Sequence, residues 1–181
     1  LADVFRRLTR MRGEVHLVVV GNGPYFDEMK ASLSGFPVTF TGYLEGEDLS
    51  QAYASSDIFV FPSTTDTFGN VILEAQASGL PVIVTEEGGL TGILTERDLL
   101  QKVAGLGLDL NSCRVKDFMS GAPESGRQDH PLAYALHRMI ISDIRYLPLV
   151  DEEGRPNGIV SSHDVIAYMA ARFSGSGGRS L

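Results

Sequence analysis

Asp66 and Glu74 stand eight residues apart in the run PSTTDTFGNVILEA (residues 62–75), on either side of Phe68 and Gly69. The glycine marks a turn at the start of an expected helix, after an apolar strand. Glu74 falls about one turn into that helix and can reach the strand's C-terminal edge, where open α/β sheets bind ligands. A carboxylate there suits the hydroxyls of a ribose or a sugar, which donate to an anionic acceptor. The plainer reading is a solvated Glu on a helix face and an Asp in a turn. Gly21 and Gly23 also follow a strand and open a helix. Glycines there allow a close backbone approach to an anion, or simply a tight turn.

Thr95 with Asp98, and Ser161 with Asp164, repeat a second pattern: a hydroxyl at the end of a strand and an acid three residues on. This is first a helix-capping arrangement, with the acid near the positive helix end. The same spot presents a hydroxyl, free amides and a carboxylate, which suit a phosphate and a ribose. His16, His130, His137 and His163 show no ligand spacing with one another or with Cys113, so no metal is expected. No Gly-x-Ser-x-Gly or Cys/His arrangement offers a nucleophile, so no catalytic residue is expected.

The 181-residue chain that carries these residues is 43% hydrophobic and 21% charged, ordinary for a soluble α/β protein. No apolar run approaches the roughly 18 residues of a membrane span. The chain opens on an amphipathic Arg-containing stretch, so neither a signal peptide nor a membrane partner is expected. A formal charge of −8 argues against a nucleic-acid partner, because phosphate binding relies on Lys and Arg. The single cysteine suits a reducing compartment, and the cytoplasm is expected. Up to Gly89 there are five Lys/Arg against twelve Asp/Glu, and ten against eleven from Leu90 onward, so the two halves differ in character. Residues 174–181 read as a flexible tail or the scar of engineering.

Leu1, Val4, Phe5, Leu8 and Met11 recur at helical spacing and predict a helix over 2–12. A buried parallel strand is expected over 15–20. The alternation continues with helix 24–34, strand 37–41, helix 46–54, strand 57–61, helix 69–78 and strand 81–85. Such alternation predicts a doubly wound parallel sheet. After Thr85 a tight turn over 86–89, a short strand over 91–94 and a helix from Thr95 make a hairpin that the first half never uses.

Residues 84–98 (VTEEGGLTGILTERD) align with 150–164 (VDEEGRPNGIVSSHD) at an offset of 66, with seven of fifteen identical. This is an internal repeat. The helices ahead of the two hairpins, 70–77 and 132–141, match in place but not in sequence, so the first copy has a front half from elsewhere. Strand 80–85 is therefore expected to be shared by both halves, with helix 69–78 packed on it through Val71, Ile72 and Ala75.

The runs LVVVGNGP (17–24), VTFTGY (38–43), SDIFVFPS (56–63) and FGNVILEAQASGLPV (68–82) resemble the Rossmann-type C-terminal domain of retaining GT-B glycosyltransferases of the mannosyl- and glycogen-synthase-like clan. The resemblance covers residues 1–85. It implies a UDP- or GDP-sugar ligand, with Glu74 on the ribose and Asp66, where the family usually has Glu, on the donor sugar. Backbone amides around Phe68 and Gly69 would face the diphosphate, with Gly21 and Gly23 in the glycine loop after strand 15–20. The family's first strand of this domain, its basic Arg and Lys and its acceptor domain would all lie before Leu1, so sugar transfer is not expected. That strand is central, between 15–20 and 57–61. Either the sheet closes over the gap, or another strand fills it.

GILTERD (92–98), VKDFM (115–119), IRYLPLVD (144–151) and GIVSSHD (158–164) resemble the CBS (cystathionine-β-synthase-type) domain pair over residues 86–173. The first repeat keeps only its closing strands and helix, to about 104, and the second, about 112–171, is whole. The resemblance implies an AMP, ATP or S-adenosyl ligand, with the Asp on ribose and the Ser/Thr near phosphate. Carried over, Asp164 with Ser161 is the better site and Asp98 with Thr95 the poorer, and Arg145 is a further adenine-nucleotide-binding residue. The chain reads as an incomplete doubly wound sheet continuing into a CBS-like hairpin-helix module. As a recombined or engineered composite it would bind an adenine nucleotide without catalysis. The alternative is a remnant that binds a nucleoside-diphosphate sugar without efficient transfer. Exposed sheet edges are compatible with a homodimer.

Overall fold

The computed structural model describes residues 1–11, 14–64, 66, 69–110 and 112–174. They form two compact units, Leu1–Gly121 and Ala122–Leu181. Phe68 and the tail over 175–181 lie outside the described residues.

The first unit begins with α1 (Ala2–Met11), β1 (Leu17–Val20), α2 (Phe26–Ser32) and β2 (Val38–Gly42). It continues with α3 (Gly46–Ala54), β3 (Phe59–Phe61), α4 (Gly69–Ala77) and β4 (Val82–Glu86). The expected order of helices and strands is present. β1 and β2 pair in parallel, with Leu17 opposite Val38, and β3 and β4 pair in parallel, with Val60 opposite Ile83.

The sheet departs from expectation in its continuity. Among the described residues no strand pairing joins β1 or β2 to β3, so the parallel sheet is in two pieces. It neither closes over the expected gap nor holds another strand there. Pairing needs edges about 4.8 Å apart, and β3 is set down beside β4 alone. The expected burial of β1 is also corrected. Val18 and Val20 are 40% and 42% exposed, because a two-stranded ribbon covered on one face leaves the other to water. On the covered side Phe26 of α2 meets Phe40 of β2 edge-on, with centroids 5.5 Å apart.

β4 is the shared strand. It pairs with β3 on one side and on the other with the antiparallel β5 (Gly89–Leu94), where Val82 faces Leu94 and Val84 faces Gly92. After β5 come α5 (Glu96–Lys102), a 3₁₀ turn (Val115–Asp117) and β6 (Ser120–Gly121), which pairs with β5. Ile72, Ala75, Leu80, Val82, Val84, Leu94, Val115 and Phe118 make one core, each large aliphatic contributing about 1.5–3 kcal/mol by leaving water.

α4 packs on β4 through the expected Ile72 and Ala75 but not through Val71. Val71 is 42% exposed, and the buried face is Ile72, Ala75 and Gln76, the i, i+3, i+4 set of a helix. Gln76 belongs there because its Nε2 donates to Leu80 O (3.0 Å) and Leu94 O (2.8 Å), tying α4 to the end of β5.

The second unit contains α6 (Leu132–Ile141), β7 (Tyr146–Val150), β8 (Pro156–Ser161) and α7 (Ser162–Ser174). β7 and β8 form the expected antiparallel hairpin, with Leu147 opposite Val160. α6 packs on it, and Ala135, Met139, Leu147 and Val165 form the core. Gly126 extends the hairpin by donating to Pro148 O and accepting from Val150 N. Among the described residues no helix is long and apolar enough to cross a membrane.

Candidate functional site

The residues read as sugar-nucleotide ligands sit on two different ribbons. Gly21 ends β1 with φ of 114°, a conformation that favours glycine, and its N–H donates to Gly42 O at 2.7 Å. Gly23 follows in an exposed turn and accepts from Phe26 N. Asp66, Gly69 and Glu74 belong instead to the β3–α4 connection and α4, and among the described residues no strand pairing joins the two ribbons.

Asp66 is exposed, and its N–H donates to Ser63 Oγ (3.2 Å). Its carbonyl accepts from Val115 N (3.4 Å), so the 3₁₀ turn docks on this loop. Gly69 begins α4. Glu74 is half-buried and accepts from Tyr53 Oη at 3.1 Å. Tyr53 was not singled out by the sequence, where it is the one aromatic of α3 and belongs to no motif. Burial and its bond to the Glu74 carboxylate push the Tyr53 hydroxyl up to about 12. Between Lys30 and Arg97 the chain has no Lys or Arg, while Asp66, Glu74, Glu86 and Glu87 all lie in that span. A diphosphate there would find acids and no cation from this span, and the basic residues next to the docked Val115 are Arg114 and Lys116.

The two capping acids, equivalent in the repeat, have different surroundings. Thr95 and Asp98 form a capping box at the start of α5. Asp98 is 7% exposed. Its Oδ2 accepts from Thr95 N (2.9 Å) and Thr95 Oγ1 (2.8 Å). Its Oδ1 accepts from Lys102 Nζ (2.7 Å) and Ser120 Oγ (2.9 Å). Burial alone would raise this carboxyl, but the bonds from Lys102, Thr95 and Ser120 outweigh it and hold the group below the usual range.

Asp164 in the second unit is exposed. Its Oδ2 accepts from Ser161 N (2.8 Å) and Ser161 Oγ (2.6 Å), and Ser161 Oγ accepts in turn from Asp164 N (3.1 Å). Among the described residues Oδ1 takes no hydrogen bond. Arg145 lies just before β7, and its carbonyl accepts from Ser162 N (2.8 Å) at the start of α7, so the backbone of these site residues is held together.

Two family models match the chain. One, described as glycosyl transferases group 1, matches residues 1–106, and the other, the CBS domain, matches residues 115–171. A sulfoquinovosyl transferase from Arabidopsis thaliana is 47% identical over 83 residues, which are 46% of this chain and 16% of that protein. The chain thus spans a small part of that relative's length. A solved CBS domain structure aligns with a TM-score of 0.56 at 20% identity, covering 70% of this chain and 99% of its own. A CBS domain protein from Pyrobaculum aerophilum, complexed with AMP, aligns with a TM-score of 0.53 at 20% identity, over 67% of this chain and 98% of its own. Residues from 115 onward are well under half of the chain. The CBS-like fold therefore runs back into the glycosyl transferase-matched region, as the sharing of β4 requires. Over residues 1–106 the chain belongs to the group 1 glycosyl transferases, and over residues 115–171 it continues as a CBS domain.

Proposed function

We propose that the chain is a non-catalytic composite of recombined segments that binds an adenine nucleotide through its CBS-like half. The observation that carries this reading is the open carboxylate of Asp164. One oxygen of this exposed side chain is fixed by the Ser161 amide and hydroxyl, and the other is unbonded among the described residues. An oriented acceptor of this kind suits a ribose diol, the positive start of α7 suits a phosphate, and Arg145 would supply positive charge. A structural neighbour is complexed with AMP, which supports the choice of adenine. The stretch without Lys or Arg around Asp66 and Glu74 supports the absence of sugar transfer. We assign the cytoplasm from the single free cysteine, Cys113. A homodimer would use the edge of β3 left unpaired among the described residues.

Thermal shifts of the full chain with AMP and ATP against UDP- and GDP-sugars test this reading. Stabilisation by the adenine nucleotides alone, lost in Asp164→Asn, is expected. Stabilisation only by the sugar nucleotides, lost in Glu74→Gln, would favour the second reading, a sugar-nucleotide-binding remnant. The bond from Tyr53 that orients Glu74 supports that alternative.

A further inference from the structure

We infer that Lys102 is a built-in occupant of the first repeat's carboxylate, so that an adenine nucleotide binds on Asp164 and is excluded from Asp98. This rests on the nucleotide reading above and adds to it which of two equivalent acids is in use, and why.

The repeat offset of 66 pairs Thr95 with Ser161, Asp98 with Asp164 and Lys102 with Tyr168. The hydroxyl and the acid are kept in kind, and the third position is not. An ionised carboxylate has about four acceptor sites. On Asp98 four donors fill them: the Thr95 amide and hydroxyl, the Lys102 ammonium and the Ser120 hydroxyl. The ammonium is held from a second side, because Lys102 Nζ also donates to Phe118 O at 2.8 Å. A ribose hydroxyl reaching Asp98 would have to displace a charge-assisted bond in a buried setting, a stronger bond than the neutral one replacing it. It would also leave the ammonium without its counter-charge.

None of these obstacles exists at Asp164. The Asp164 side chain is exposed, its Oδ1 takes no hydrogen bond among the described residues, and Tyr168 brings no cation of its own to that position. The Tyr168 ring lies instead beneath the Arg172 guanidinium, 5.1 Å from its centroid. The two sites thus share a capping geometry and differ in whether a side chain of the protein already occupies the acid.

Calorimetric titration of the full chain with AMP and with ATP tests the inference. Wild type should take about one nucleotide per chain, and Asp164→Asn should weaken binding at least tenfold. Adding Lys102→Met to Asp164→Asn should restore binding through Asp98, whereas Lys102→Arg should not. Two nucleotides per wild-type chain, undiminished binding by Asp164→Asn, or a folded double variant that stays silent would each overturn it. Should the Lys102→Met variants fail to fold, lysine-labelled NMR of wild type decides. The Lys102 ammonium should stay protected from exchange and unmoved as AMP is added, and a shift or loss of protection would refute the exclusion. If wild type binds neither nucleotide, the reading of Asp164 fails. Binding gained by Lys102→Met would then still show that Lys102 closes Asp98.

Discussion

Tyr53 Oη lies 3.1 Å from Glu74 Oε2 and 3.3 Å from Val71 O, so α3 holds the carboxylate of α4 by a single phenol. Burial, and then the bond to Glu74, push that hydroxyl up to about 12 from its ordinary 10.0. The folded value lies above the unfolded one. The stability contributed by the neutral phenol is therefore fully present below pH 10 and lost as pH rises through about 12. Urea unfolding followed by circular dichroism should show wild type losing stability across that window. Tyr53→Phe should lose less there and cost about 1 kcal/mol at neutral pH. Parallel pH curves for the two proteins would contradict the assignment.

Asp98 shifts the other way. Its carboxyl is held below the ordinary 3.8 by Lys102, Thr95 and Ser120 against the opposing effect of burial. Its contribution is present above that value and lost as pH falls through the lower, folded one. Asp98→Asn should destabilise by about 1.5–3 kcal/mol at pH 7, the usual range for hydrogen bonds to a charged group. The deficit should shrink below pH 3.8. A pH-independent deficit would mean that the loss comes from packing and not from the charge.

The elements of the fold, the repeat and the shared strand were legible because each is written in local periodicity. Regular strand-helix alternation, the offset of 66 and the apolar run ending at Thr85 need no knowledge of what lies across space. The place of the gap between β1 and β3 was legible, but that it stays open was not, since pairing depends on an edge partner that leaves no mark on the strand itself. Val71 and Ile72 are adjacent apolar residues, and only the side on which β4 lies decides which is buried. The candidate acids were visible as residue types, but their states were not. Lys102 at i+4 from Asp98 reads as an ordinary helix pair. Only Ser120 and Phe118, folded back from the following segment, turn it into a closed site.

Gly92 and Gly158 are the same glycine of the repeat, and a Cβ would be tight at Gly158 and in collision at Gly92. A Cβ on Gly92 would meet the Met119 side chain, with Cγ at 2.9 Å, whereas one on Gly158 would first meet Leu149 Cδ1 at 3.3 Å. Gly92→Ala should therefore cost about 1–3 kcal/mol through overpacking, and Gly158→Ala less. Met119→Ala should rescue Gly92→Ala in part. Equal losses, or no rescue, would show that the glycine is kept for backbone reasons alone.

The glycosyl transferase-like and first-repeat parts of Leu1–Gly121 cohere through β4. Val84 is fully buried in β4, between β3 and Gly92 of β5. Its neighbours in the core, Ile72 and Leu80 on one side and Leu94, Val115 and Phe118 on the other, come from both parts. Neither part keeps that core without the other, because each would expose the apolar face it now buries. Gln76 reinforces the link by holding α4 to Leu94. Val84→Asp would place an unpaired charge in this strand, a change on the order of 4 kcal/mol or more. Both parts should then unfold in one transition. Circular dichroism would follow the transition, and limited proteolysis with mass analysis would follow each part. A protected fragment running from about residue 90 to Gly121 in the variant, or two separate transitions in wild type within this unit, would show that the two parts fold independently.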